Sequence, residues 1–201
     1  MAWAIQVRNL TKHYGAVEAV RGVDLTVAEG EVFALLGPNG AGKTTTVEIL
    51  EGHRRRSAGT VSVLGMDPDS SGRAFRERIG IVLQSSGIEP ELAVVEALRI
   101  YAGMCARPRD VDEVLSLVGL ADKAHTRVKH LSGGRQRRLD LGLGLVGDPE
   151  LIFLEEPTTG FDPSARRRAW ELVASLRSLG RTILLTTHYM TRPRRWPTGW
   201  R

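Results

Sequence analysis

Residues 37–45 read Gly-Pro-Asn-Gly-Ala-Gly-Lys-Thr-Thr and follow directly on a continuous apolar run, residues 32–36. This G-x-x-x-x-G-K-[ST] pattern constrains the fold more than any other stretch, because it functions only between a buried strand and a helix. Glycine lets the backbone curl so that its N–H groups face inward around phosphate oxygens. The helix that follows, expected over about residues 43–50, directs its positive end at the same anion. Lys43 supplies a charge for the β- and γ-phosphates, and the Thr44 hydroxyl is a hard oxygen donor suited to Mg2+. Gly37, Pro38, Asn39, Gly40, Ala41, Gly42, Lys43, Thr44 and Thr45 are therefore read as a loop that cradles a nucleotide. The loop alone implies a nucleoside triphosphate and does not choose among the reactions such sites perform.

The rest of the chain supplies the matching architecture. Residues 5–10 and 19–28 read as two strands around a turn containing Gly15. Further strands are expected at 60–64, 79–83, 151–154 and 183–185. Residues 94–106 and 111–118 carry helical apolar spacing, so 86–130 reads as a helical subdomain inserted into a core made of 1–85 and 131–190. A helix is expected to begin at Pro163, a residue suited to a first turn, and to end near Gly180. Strands alternating with helices predict an α/β fold with a mostly parallel sheet covered on both faces.

Composition excludes several other classes. The single cysteine, Cys105, cannot form an internal bridge, which fits a reducing compartment; it reads as a packed thiol. No apolar run approaches the roughly 18 residues needed to cross a bilayer, and residues 1–10 lack the pattern of a secretory leader. A membrane role would therefore need a separate partner. The net charge of +5 is concentrated in Arg192, Arg194, Arg195 and Arg201, without which it falls to +1, so no footprint for nucleic acid is present. Arg166, Arg167 and Arg168 read as a solvated helix face. His13, His53, His125 and His130 show no metal-ligand spacing, and Trp3 and Trp170 read as packing aromatics.

Two further motifs carry chemistry. Leu151-Ile-Phe-Leu ends in adjacent acids, Glu155 and Glu156. At the carboxyl end of a strand in such a sheet, one acid can hold Mg2+ and the next can orient a water and accept its proton. Leu131-Ser132-Gly133-Gly134-Arg135-Gln136 precedes another helix. Its N–H groups and hydroxyl at a helix start again suit a phosphate.

Taken in order, GPNGAGKTT at 37–45, Gln84, LSGGRQ at 131–136, LIFLEEP at 151–157, TGFDP at 159–163 and His188 resemble the nucleotide-binding subunit of an ABC transporter. EGHRRRSAGTVSVLG and TTGFDPSARR further resemble cassettes of bacterial drug-resistance and other small-molecule exporters. The resemblance implies a P-loop NTPase core with N-terminal antiparallel strands and a helical subdomain. It implies ATP and Mg2+ as cofactors, with Thr44, Gln84 and Glu155 at the metal. Glu156 would be the catalytic base, His188 would contact the γ-phosphate, and Gln84 would touch Mg2+ or the lytic water. Tyr14 would stack on adenine. Ser132, Gly133 and Gly134 would bind the ATP held by a second copy, with Asp162 communicating across that pair. Such subunits act peripherally on the cytoplasmic face of the membrane, through a separate permease that dimer closure moves.

The chain departs from the family pattern twice. Glu155 stands where the family has aspartate, one methylene shorter, and because Mg2+ geometry is strict, weakened hydrolysis is expected. After Met190 the family continues with an acidic helix, whereas residues 191–201 carry two prolines and four arginines. Read from the last base of the Met190 codon with GC-rich codon choices, this tail gives Asp-Glu-Ala-Glu-Ala-Leu-Ala-Asp-Arg-Val-Ala, which resembles that continuation, so a frame shift is the expectation. A rival reading is an ATP-binding remnant impaired by Glu155 and this tail. A soluble cassette of translation or DNA repair is disfavoured, because residues 85–130 leave no room for the long coiled-coil insertion of that class.

Overall fold

The computed structural model describes residues 2–82, 87–155 and 163–187. The elements run β1 (Trp3–Tyr14), β2 (Val17–Ala28), β3 (Val32–Leu36), α1 (Lys43–Leu50), β4 (Ala58–Val63), α2 (Gly72–Arg76) and β5 (Ile79–Val82). There follow α3 (Val94–Met104), α4 (Val111–Leu117), α5 (Gly133–Leu145), β6 (Leu151–Glu155), α6 (Pro163–Ser178) and β7 (Thr182–Thr187). Two sheets result: an antiparallel one ordered β2-β1-β4 and a parallel one ordered β3-β7-β6-β5.

The parallel sheet is buried on both faces, as a strand set of continuous apolar runs requires. Alternate side chains divide cleanly between two cores. Val32, Ala34, Val82, Ile152, Leu154, Ile183 and Leu185 face one side, packed with residues of α3, α4, α5 and α6. Leu151, Phe153, Leu184 and Ile79 face the other, packed with α1 and the antiparallel sheet. The helical insert carries no core of its own among the described residues. Val94, Leu98, Val114 and Leu115 join the sheet's first core through Leu139, Leu141 and Leu145 of α5. On β5, α5 approaches backbone to backbone: a Cβ on Gly80 would lie 2.2 Å from the Gly144 carbonyl oxygen.

The first hairpin is longer than its hydrophobic alternation suggests. Pairing runs from Trp3↔Ala28 to Tyr14↔Val17, with register shifts between Val7 and Leu10 and between Lys12 and His13. Each shift breaks the two-residue period while the ladder continues. The short α2 escaped notice because it buries a single large side chain, Phe75. Trp3 is 41% exposed at the start of β1, which corrects its reading as a packing residue, whereas Trp170 packs against the first core. Gln84, Glu156, Asp162, His188 and the tail 191–201 lie outside the described residues, as do the side chains of Arg166, Arg167 and Arg168.

Candidate nucleotide-binding site

The Gly37–Thr45 loop leaves β3 at the carboxyl edge of the parallel sheet and enters α1 at Gly42. Gly42 has φ +79, and a Cβ there would lie 2.4 Å from the Ala19 carbonyl oxygen of β2. Backbone conformation and close approach together admit only glycine. No side chain caps α1 and no acid lies in its first turn. Its leading N–H groups are thus left for a ligand anion. The Lys43 ammonium donates to the carbonyls of Gly37 at 2.6 Å and Pro38 at 2.9 Å, which holds it across the loop. Thr44 is exposed beside it in the first turn of α1.

Register brings the second motif to the same edge. Leu35 pairs with Thr186, and Thr186 pairs with Glu155. Two strand spacings, about 10 Å, therefore separate the end of β6 from the strand that feeds the loop. Glu155 is half-buried there. Leu36 pairs with Thr187, so the residues that precede Gly37, Glu156 and His188 in sequence all lie at this edge. No group of three or more His, Cys, Asp or Glu side chains clusters as a metal cage among the described residues. That fits Mg2+, which takes one or two protein oxygens and draws the others from phosphate and water; Thr44 and Glu155 are hard oxygen donors of the right kind.

Two buried charges flank this edge, and sequence reading missed both. Glu51 caps the C-terminal end of α1 and is 6% exposed. Burial first, then Glu155 and Glu48, pushes its carboxyl up to about 8, and His53 Nδ1 lies 3.4 Å from it. Arg137 of α5 is 7% exposed and donates from Nη2 to the Glu155 carbonyl oxygen at 2.8 Å. Burial lowers its pKa, while Asp140 and Glu155 act to raise it. The available signals were spacing: Glu51 is four residues from buried Val47, and Arg137 is four and eight residues from Leu141 and Leu145.

Ser132 is the N-cap of α5 with extended backbone, and its carbonyl accepts from the Arg135 and Gln136 N–H groups. Its hydroxyl makes no capping bond. A Cβ on Gly133 or Gly134 would meet nothing within 4 Å. Among the described residues, no hydrogen bond joins this turn to residues 37–45. Tyr14, at the end of β1, is 41% exposed, with Lys12 Nζ 5.0 Å and Arg54 Cζ 5.3 Å from its ring centre. Arg54 is tethered by the Glu48 carboxylate at 2.6 Å.

The family described as ABC transporter matches residues 20–159. The chain belongs to that family. Curated relatives include the Nod factor export ATP-binding protein I of Burkholderia lata, 44% identical over 191 residues, covering 92% of this cassette and 63% of the relative. The protein of the same name from Rhizobium meliloti is 44% identical over 192 residues, covering 93% and 57%. The cassette thus spans less than two thirds of the length of these relatives. Among solved structures, a component of an ABC transporter complex from Clostridium perfringens is 28% identical with TM-score 0.86, covering 94% of this cassette and 80% of that chain. The ADP conformation of another ATP-binding cassette, 23% identical with TM-score 0.85, covers 95% and 83% and shares the fold.

The Cys105 thiol donates to the Tyr101 carbonyl at 3.4 Å, and burial raises its pKa. His13 and His130 are exposed on the surface.

Proposed function

We propose that the chain is the Mg-ATP-hydrolysing motor of a membrane exporter. One observation carries the reading: the Gly37–Thr45 loop, backed by Ala19, shares a sheet edge with Glu155. Residues 37–45 hold the triphosphate, Lys43 neutralises its β- and γ-oxygens, and Tyr14 stacks on adenine. Thr44, Glu155 and Gln84 hold Mg2+, which supplies charge neutralisation on the phosphates. Glu156 takes a proton from water as that water attacks the γ-phosphorus and the bond to the ADP oxygen breaks. His188 steadies the γ-phosphate.

The open Ser132–Gly134 turn supports a pair of cassettes in which each turn contacts the ATP of the other copy, with Asp162 at the junction. No helix among the described residues is long and apolar enough to cross a membrane, which supports a peripheral place on the cytoplasmic face through a separate permease. Export is favoured because the named relatives are Nod factor export proteins; a drug cargo rests on sequence resemblance alone.

The test pairs the parent with Glu156→Gln. The parent should hydrolyse ATP only with Mg2+, and Glu156→Gln should abolish turnover and run as a dimer in gel filtration with ATP. A parent that binds ATP without turnover would instead establish the impaired remnant, for which the longer Glu155 side chain is the specific argument.

A further inference from the structure

We infer that Arg54, held by Glu48, is a positioning residue for the Tyr14 ring, so that the helix after the phosphate loop also sets the base end of the nucleotide site. The inference rests on the reading of Tyr14 as the residue that stacks on adenine. Tyr14 stands where the antiparallel sheet thins. Pairing of β1 with β4 ends at Thr11↔Ala58, while pairing with β2 runs on to Tyr14↔Val17. The tip of the hairpin is therefore two-stranded, and a two-stranded ribbon is only marginally stable without a further contact. The tip is nonetheless close to the phosphate loop. Val17 lies two residues before Ala19, whose carbonyl backs Gly42.

The further contact comes from the turn after α1. The His53 and Arg54 N–H groups both donate to the Glu48 carbonyl, at 2.9 and 3.1 Å, which folds the turn back over the helix. Ser57 then holds β1 twice: its N–H donates to the Thr11 carbonyl and its hydroxyl accepts from the His13 N–H, each at 2.9 Å. Between these anchors the Arg54 guanidinium reaches the Tyr14 ring, with Cζ 5.3 Å from its centre, while Nε donates to the Glu48 carboxylate at 2.6 Å. Lys12 Nζ lies 5.0 Å from the same centre, but its ammonium has no hydrogen bond or ion pair among the described residues. Both cations are drawn to the negative face of the ring, yet only Arg54 is tied to α1. A stacking base needs one face of the ring. Lys12 can swing away on its flexible stem. The planar guanidinium, fixed by Glu48, keeps its own face and leaves the opposite one to the base. Lys43 and Glu48 stand on the same helix, so one element carries both the phosphate end and the base end of the site.

The test measures ATP affinity by isothermal titration of the full chain for Arg54→Ala, Tyr14→Ala, the two together, Glu48→Ala and Lys12→Ala. Tyr14→Ala should lose about tenfold, and Arg54→Ala about three- to fivefold. The double variant should lose less than about twofold beyond Tyr14→Ala, because Arg54 acts only through the ring. Glu48→Ala should weaken binding by about threefold with Arg54 still present, and Lys12→Ala should not weaken it. Where Arg54→Ala does not fold, Arg54→Gln takes its place in the cycle. Additive losses in the double variant would make Arg54 a support of the fold or a nucleotide contact of its own, and overturn the inference. A loss at Lys12→Ala as large as at Arg54→Ala would overturn the role given to the Glu48 tether. If Tyr14→Ala binds ATP as the parent does, the reading of Tyr14 as the base platform fails and takes the inference with it. If Tyr14→Ala is weakened and Arg54→Ala is not, that reading stands and this inference alone falls.

Discussion

The chain starts two helices with glycines, and builds them in opposite ways. At α1, Gly42 has left-handed backbone and its Cα faces the Ala19 carbonyl so closely that a Cβ would lie 2.4 Å from the oxygen. Lys43 is tied back to the Gly37 and Pro38 carbonyls. At α5, Gly133 and Gly134 have nothing within 4 Å of a would-be Cβ, and Ser132 is exposed. One turn is enclosed by the rest of the same chain. The other offers the same N–H chemistry to the outside. On the proposed pairing, the open turn is the one that meets a second copy's nucleotide.

The largest effect should come from closing space at the enclosed turn. Gly42→Ala forces a side chain into the Ala19 carbonyl and an alanine into φ +79, costing about 2–4 kcal/mol, or roughly 5 to 12 °C of melting temperature, together with loss of ATP binding. Equilibrium ATP titration and thermal denaturation measure both, and an alanine variant that binds ATP normally would break the contrast. The same change at the open turn, Gly134→Ala, should leave folding within about 1 kcal/mol, since the added methyl meets nothing. Gly134→Asp should then separate the two turns functionally. Its carboxylate repels phosphate at α5 only, so ATP affinity holds while turnover falls by about tenfold or more. A parallel loss of affinity would mean that the two turns serve one nucleotide in the same chain.

The course of the enclosed turn was legible in sequence, because glycine spacing and an apolar strand dictate it locally, whereas its contact with Ala19 was not. The expected bounds of β3 and α1, residues 32–36 and 43–50, match the structure. The antiparallel hairpin was cut short, since its register shifts interrupt the period that sequence reading relies on. The edge shared by Leu35, Thr186 and Glu155 depends on strand order, which no local pattern encodes. Arg137 was hidden for a related reason: a run of arginines after a polar turn looks solvated until the helix's rotation against β6 is known.

A smaller effect is expected where the two regions meet. Glu155→Asp shortens the side chain by one methylene at a site whose metal demands strict geometry. Turnover should rise about threefold, close to 0.7 kcal/mol of barrier, with affinity for ATP unchanged. Steady-state kinetics at saturating Mg2+ checks it. No gain would mean that the glutamate already reaches its position, and that the end of β6 is set by Arg137 more than by side-chain length.

A pH-dependent effect tests how closed the α1 side is. The Glu51 carboxyl is pushed from 4.5 up to about 8, by burial before all else, then by Glu155 and Glu48. In the unfolded chain it ionises near its ordinary value, whereas the folded chain keeps the proton. Unfolding between those limits therefore releases a proton, and each pH unit removes at most about 1.4 kcal/mol of stability. The contribution is whole below about 4.5 and is lost as pH climbs through about 8. Glu51→Gln fixes the neutral form. It should melt like the parent at acid pH and higher at alkaline pH, by roughly 2 kcal/mol or 4 to 8 °C. Melting curves that stay parallel across this range would show Glu51 to be solvated. The end of α1 would then be as open as the start of α5, and the difference between the two helices would reduce to the contacts of Gly42 and Lys43 alone.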